Sequence, residues 1–228
     1  MAEFKSIKID GEERLERQAK LKDQKAKVDT AVNDIVCLPE NIVPFLVPGR
    51  FIKINQDDNT WGWGVIVSFQ KQRINPKKFV MGDAKNKDYL DVISKTEVHY
   101  ILDVLLYVKN KLTSDNVLQP GDFQKKDGRL GVIPVLLHPQ SIGCISTIQM
   151  NLPGHNLTSA ESLKQVEMLY GEIMKRFNQG DDLPLLDPKE DMEIEDEQLD
   201  ELLDTKNKIT KELEKINAKA QISEAQQL

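Results

Sequence analysis

Hydrophobic residues near the two ends of the chain recur at helical spacing, whereas those in the middle come in short runs typical of strands. Residues 11–36 are highly charged and carry a thin apolar stripe, which predicts a helix with a narrow seam like that of a coiled-coil pair. Asp10 is a candidate N-cap for this helix. The stripe consists of Leu15, Leu21, Val28 and Ile35, the last three of which are seven apart.

The middle of the chain, from about residue 49 to 150, is rich in the β-branched and aromatic residues that favour strands. Pro134 lies inside one candidate strand and predicts that this strand is at a sheet edge or contains a bulge. Two polar insertions, at about 71–95 and 110–129, are longer than ordinary hairpin loops and are expected to be functional, disordered or both. The candidate strands are 50–55, 62–70, 97–108, 130–137 and 142–150.

The segment from Phe45 to Phe69 combines a Pro-Gly turn with a glycine-containing strand that reads WGWG. Gly49 can adopt backbone angles that are closed to other residues. The strand after it alternates between polar Arg50, Lys53 and Asn55 and apolar residues, which predicts one buried and one solvated face. Glycines within a strand usually mark a bulge or a close backbone approach. Together these features indicate a small, strongly bent β-barrel of the SH3-like or KOW kind.

The last third of the chain returns to helical spacing. Thr158 and Glu161 fit the capping box T-x-x-E at a helix start, and the run Asn178–Gly180 marks the end of that helix. A final helix is predicted over about 195–220, because its apolar positions are spaced alternately four and three. The apolar face of the first of these helices is Leu163, Val166, Leu169, Tyr170, Ile173 and Phe177. The seam of the second is Leu202, Ile209, Leu213, Ile216 and Ala220, with Lys206 intervening.

This layout predicts an α+β protein in which an SH3-like KOW β-barrel is carried on an antiparallel, coiled-coil-like helical stalk. Residues 1–48 are expected to form the N-terminal stalk helix and a linker, and residues 49–150 the barrel with its two insertions. Residues 151–228 would supply the returning helices that complete the stalk. Such a stalk has both chain ends at its base, which is the form expected of an insertion excised from a larger protein.

The composition limits the classes of protein to which this chain could belong. A formal net charge of −6 argues against a protein that coats nucleic acid over its whole surface, although a local basic patch is compatible with it. Cys37 and Cys144 form no C-x-x-C pair, as expected in a reducing compartment. The chain has no apolar run long enough for a membrane helix and no signal-peptide core at its N-terminus, so we expect a cytosolic or nuclear protein.

No residue pattern indicates catalysis. The phosphate-binding sequence G-x-x-x-x-G-K-[ST] of ATPases is missing, so this chain is not expected to be an enzyme. Its three histidines, His99, His138 and His155, have no metal-ligand spacing to one another or to the cysteines, and no metal or cofactor is expected.

Several motifs occurring in one order resemble the arch domain of the nuclear RNA-exosome DExH helicase of the TRAMP complex. They are PFLVPGRFIKI, WGWGVIVSF, VIPVLL, SIGCIS, EIMKRF and DLPLLDPKEDMEIED, spanning roughly Leu38 to Glu201. The arch of that family is a helical stalk with a KOW barrel inserted into a helicase core. The resemblance therefore implies an RNA-decay and rRNA-processing context, a location in the nucleolus and nucleoplasm, and contact with the helicase core of a longer parent chain. At residues 150–157 this chain reads MNLPGHNL, where the family has a more basic segment.

Arg50 is the leading candidate binding residue. It is either an ordinary surface arginine or a guanidinium clamp for a peptide carboxylate. The resemblance implies the clamp, because the KOW barrel of the family captures short arch-interacting motifs of adaptor proteins, an aromatic–apolar pair followed by Asp. The candidate peptide-binding residues are Arg50, Phe51, Lys53, Trp61 and Trp63.

A basic cluster in and next to the first insertion is the candidate site for structured RNA, which it would bind weakly and in a salt-sensitive manner. A flexible, solvated loop is an equally good interpretation of this cluster. Two other functions stay open for the chain as a whole: a structural spacer of a helicase that binds nothing itself, and an independent KOW-type RNA-binding protein. The candidate RNA-binding residues are Lys71, Arg73, Lys77, Lys78 and Lys85.

Overall fold

The computed structural model describes residues 2–56, 59–72, 99–110, 118–153, 157 and 159–225. The chain forms two compact units, a helical unit from the two ends of the chain and a sheet unit over Cys37–Glu193. Two short 3₁₀ turns, Val43–Phe45 and Asn178–Gly180, accompany the helices. The helices are α1 (Ala2–Val36), α2 (Pro39–Ile42), α3 (Ala160–Arg176) and α4 (Glu197–Ala225). The strands are β1 (Arg50–Gln56), β2 (Asn59–Gln72), β3 (His99–Lys109), β4 (Gly128–Leu136) and β5 (Ile142–Gln149).

In the helical unit, α1 and α4 pair in antiparallel orientation. The Gln18 side-chain amide donates to the Asn217 side chain at 2.8 Å, and Lys206 forms an ion pair with Asp29 at 2.7 Å. From Gln18 to Asp29 the residue number in α1 rises, while that of the contacting residue in α4 falls from 217 to 206, so the two helices run in opposite directions. The predicted antiparallel pairing of the two seamed helices is therefore confirmed.

The seam of α1 differs in detail from the predicted stripe. Leu21 is buried and Val28 and Ile35 are half-buried, but Leu15 is 61% exposed and does not belong to the seam. Val32, which the prediction omitted, is buried instead. The expectation that Asp10 caps the helix is wrong, because the helix already begins at Ala2.

The seam of α4 follows the predicted spacing. Ile209 is buried, whereas the other members with described side chains are half-buried. The side chain of Ala220 lies outside the described residues. The half-buried members are Leu202, Lys206, Leu213 and Ile216.

A charge reversal at Asp29 tests the register of the helix pair. Asp29 lies 3.7 Å from Lys25 on its own helix and 2.7 Å from Lys206 on α4, so Asp29→Lys should place three cations together. Because these groups are partly exposed, we expect a loss of about 1 kcal/mol in the free energy of unfolding. Adding Lys206→Asp should recover most of it in a double-mutant cycle measured by thermal unfolding.

The matched control for this cycle is Asp23→Lys. Asp23 pairs with Lys27 on its own helix, at 2.8 Å, so Lys206→Asp should not rescue that variant. Equal rescue of both variants, or of neither, would contradict the observed register.

The sheet unit contains one five-stranded antiparallel sheet in the order β4-β3-β2-β1-β5. The predicted α+β class is confirmed, and segment 97–108, ambiguous by its spacing, provides strand β3. Pro134 lies in β4 at one end of the sheet order, where its missing N–H costs no ladder hydrogen bond. Of the two predicted alternatives, an edge strand or a bulge, the edge strand is the one observed.

A bulge in β2 separates its two tryptophans. Ile54 pairs with Gly62 and Asn55 with Thr60, so Trp61 is the extra residue of the bulge, and Gly62 takes a positive φ of 79°. Trp61 consequently enters one hydrophobic core of the sheet unit and Trp63 the other.

Both faces of β1 are buried, which corrects the prediction of one solvated face for this strand. Phe51, Ile52 and Ile54 are all fully buried, because residues of the loop before β1 cover one face and α3 covers the other. The core on the loop side includes Ile42, Leu46, Ile52, Ile54, Ile66, Leu102, Val104 and Leu106. The core on the α3 side includes Phe51, Trp63, Val65, Leu105, Tyr107, Val166, Tyr170, Met174 and Leu183.

The domain prediction placed helix α3 in the stalk, but in the structure α3 belongs to the sheet unit. Its buried side chains pack on the sheet. Its N-cap is Ser159, whose hydroxyl accepts from the Ser162 N–H at 3.1 Å, one residue after the predicted Thr158. Leu169, predicted on the buried face, is 41% exposed, whereas Met174 is buried. The helix ends before the predicted Asn178–Gly180 turn.

Candidate functional site

The turn before β1 fixes the backbone from which Arg50 projects. Gly49 has a φ of +88°, its N–H donates to the Ile66 carbonyl at 2.7 Å, and its own carbonyl accepts from the Met150 N–H at 2.9 Å. A Cβ atom at this position would overlap the Met150 carbonyl oxygen. Only glycine fits this turn without strain. The two hydrogen bonds of Gly49 hold the start of β1 from both sides.

The Arg50 guanidinium lies against strand β5. Its Nη1 donates to the Ser146 carbonyl at 3.3 Å, and its buried Nε has no acceptor among the described residues. Burial lowers the pKa of Arg50 from its ordinary value, and the charge of the nearby Asp191 opposes that shift. A guanidinium carries five N–H donors, so donors on this side chain remain for a ligand.

The segment around Leu185 covers the outer edge of β5 next to Arg50. The Thr147 N–H donates to the Pro184 carbonyl at 3.0 Å, and the Ser146 hydroxyl donates to the same oxygen at 2.6 Å. Leu185 pairs with Ser146 in an isolated β-bridge, yet its side chain is 51% exposed. We call Arg50, Ser146, Leu185 and Asp191 the Arg50 site. Its members are linked through Ser146, which pairs with Leu185 and whose carbonyl accepts from Arg50, and through the charge of Asp191 acting on Arg50.

Two of the predicted peptide-binding residues hold α3 on the sheet. The Phe51 ring stacks on Tyr170 at a centroid distance of 5.8 Å, and the Trp63 indole N–H donates to the Gly180 carbonyl at 2.9 Å. The Tyr170 hydroxyl donates to the Trp63 carbonyl at 2.8 Å. Because Phe51 and Trp63 are buried under this helix, neither ring is exposed to a peptide as their prediction as peptide-binding residues requires.

The remaining predicted peptide-binding residues are not gathered at one place either. Trp61 is 8% exposed and belongs to the core on the opposite face of the sheet from Trp63. Lys53 is half-buried on β1 and pairs with Trp63 and Cys144. Sequence reasoning missed Leu185, although the motif that contains it, PLLDP, was noted for the resemblance.

A protein-family model described as the Mtr4-like β-barrel domain matches residues 38–228. The chain belongs to this family. It is 29% identical over 204 residues to the exosome RNA helicase MTR4 of Mus musculus and to that of Homo sapiens. It is 28% identical over 181 residues to the DExH-box ATP-dependent RNA helicase DExH10 of Arabidopsis thaliana.

The alignment with the mouse and human proteins covers 88% of this chain but 18% of each relative. The chain thus spans about a fifth of the length of these relatives, and the expected resemblance to the arch of an exosome helicase is confirmed at the level of this barrel domain.

One of the predicted RNA-binding residues of this Mtr4-like domain is described. Lys71 is exposed near the end of β2, with its Nζ 5.6 Å from the centroid of the Tyr100 ring. The other four, Arg73, Lys77, Lys78 and Lys85, lie outside the described residues.

The described part of the Mtr4-like chain holds no group of three or more His, Cys, Asp or Glu side chains that could bind a metal ion. Among its described helices, none is both long and apolar enough to cross a membrane.

Proposed function

We propose that this chain is a non-catalytic arch module of a nuclear, exosome-associated RNA helicase, and that it recruits adaptor proteins. Its family and its similarity to the mouse and human exosome RNA helicases support the helicase context. The proposal includes a longer parent chain with the helicase core, work within the TRAMP complex in RNA decay and rRNA processing, and weak binding of structured RNA.

The Arg50 site is the observation that carries the recruitment proposal. The locked turn at Gly49 presets the backbone of Arg50, so less conformational freedom is lost when a ligand binds. An Asp of an adaptor peptide can pair with the guanidinium through charge-assisted hydrogen bonds. The aromatic–apolar pair of the same peptide would then pack on Leu185, in place of the buried Phe51 and Trp63.

The test is calorimetric titration of the 228-residue protein with a short peptide that carries an aromatic–apolar pair followed by Asp. Arg50→Glu should weaken binding by more than about tenfold, because it removes the partner of the peptide carboxylate and repels it. A peptide with Asn in place of this Asp should also bind the unaltered protein more weakly than the Asp-containing peptide, because it loses the charge-assisted pair without the repulsion. Leu185→Ser should also weaken the Asp-containing peptide, by removing apolar contact area.

Arg129→Glu is the matched control, since Arg129 is an exposed arginine on β4, at the other end of the sheet order from β5. It makes the same change in net charge and should leave the affinity unchanged. Circular dichroism establishes that each variant is folded. A folded Arg50→Glu protein with undiminished affinity would refute the Arg50 site, and equal losses in both arginine variants would reduce it to a general charge effect.

A further inference from the structure

A second exposed surface, separate from the Arg50 site, lies where β2 and β3 run together. Phe69 pairs with Leu102 and Lys71 pairs with Tyr100, so Phe69, Lys71 and Tyr100 project from the same face of the sheet. Phe69 is 37% exposed, Tyr100 is half-buried, and Lys71 lies over the Tyr100 ring at 5.6 Å. We call these three residues the aromatic–lysine patch.

The charges around the patch favour an anionic ligand. Among the described residues of β2, β3 and β4 on this face, Lys71 is the charged side chain beside the two rings, since Arg129 pairs with Val108, eight residues along β3 from Tyr100. Asp103 lies on the opposite face, where it accepts a hydrogen bond from the Ser68 hydroxyl at 2.6 Å. A ligand approaching the patch therefore meets two rings and a cation, without a carboxylate on the same face of these strands.

We propose that the aromatic–lysine patch binds unpaired bases of single-stranded RNA. The Phe69 ring would stack on a base, and the Lys71 ammonium, which lies over the Tyr100 ring, would contact a neighbouring phosphate. Bases within a duplex are stacked on one another and cannot reach these rings, so the patch should discriminate against double-stranded RNA. The inference rests on the RNA-binding part of the proposed function, because structured RNA offers unpaired bases in its loops and bulges, and it is independent of adaptor recruitment.

The test measures fluorescence anisotropy of a labelled 10-nucleotide oligouridine and of a duplex of the same length at low salt. The unaltered protein should prefer the single strand. Phe69→Leu keeps much of the apolar area but loses the ring, and should weaken single-strand binding by about tenfold, the usual size of one stacking contact. Lys71→Gln should lower the slope of log K against log salt by about one phosphate contact.

Two further variants separate stacking from a general loss of apolar surface. Phe69→Trp should retain the affinity, and the single strand should quench the fluorescence of its exposed indole. Because Trp61 and Trp63 are buried, this quenching can be assigned to the new tryptophan. Val132→Ala removes an exposed apolar side chain from the opposite face of the sheet and should change nothing.

Binding to single strands that Phe69→Leu leaves unchanged would overturn the patch while leaving RNA binding elsewhere intact. Preference for the duplex would also overturn it. If neither RNA binds, both the proposed role of the patch and the RNA-binding part of the proposed function are contradicted. The peptide titration of the Arg50 site would be unaffected by that result.

Discussion

Phe51→Ala is expected to destabilise the sheet unit by about 3–5 kcal/mol, the usual cost of emptying a buried phenylalanine site. The Phe51 ring is fully buried and stacks on Tyr170 at an interplanar angle of 20°, so its loss leaves a cavity between the sheet and α3. The free energy of unfolding can be measured in urea from tryptophan fluorescence, because both tryptophans of the chain lie in the cores of this unit.

Phe69→Ala is the control for this variant, since it makes the same substitution at an exposed ring of the same sheet. It should shift the free energy of unfolding by less than about 1 kcal/mol. A Phe51→Ala protein of normal stability that had lost peptide binding would reverse the assignment and make Phe51 a contact residue instead of a core residue.

Gly49→Ala is expected to cost about 2–4 kcal/mol, because it combines two unfavourable effects. An alanine at a φ of +88° is strained, and its methyl group would also overlap the backbone of Met150. The turn must open to relieve this overlap, which weakens the hydrogen bonds to Ile66 and Met150. The same urea titration measures the loss.

Gly62→Ala separates the two effects. Gly62 also has a positive φ, of 79°, but a Cβ atom there would meet no atom within 4 Å. It should therefore cost only the strain, about 1–2 kcal/mol. Equal losses at the two positions would mean that the Met150 overlap contributes nothing.

The spacing of apolar residues and prolines within each segment was sufficient to predict most helices and strands of the fold. The seam of α4 repeats every seven residues, and such a repeat is a property of the helix itself. Pro134 predicted an edge strand because a missing N–H has the same consequence in any sheet. The cap of α3 was misplaced by one residue, since Thr158 and Ser159 are adjacent hydroxyl residues and both are acceptable caps.

The candidate site was harder to predict, because remote segments determine which side chains of β1 are exposed. Phe51 lies more than a hundred residues before Tyr170, and nothing in the spacing of β1 indicates that α3 will cover it. For the same reason Leu185 was overlooked, since it meets Ser146, the residue whose carbonyl accepts from Arg50, only when its segment pairs with β5. Arg50 itself was singled out because it follows the Pro-Gly turn within PFLVPGRFIKI, one of the motifs that carry the resemblance.

The pairing of α1 with α4 has a consequence for synthesis on the ribosome. Gln18 and its partner Asn217 are 199 residues apart, so at about 5–20 residues per second α1 emerges roughly 10–40 s before α4. The segment between them, Cys37–Glu193, is continuous and can fold during this interval. Until α4 arrives, Leu21 and Val32 have no partner helix, so we expect the nascent α1 to be the segment of this chain that chaperones bind.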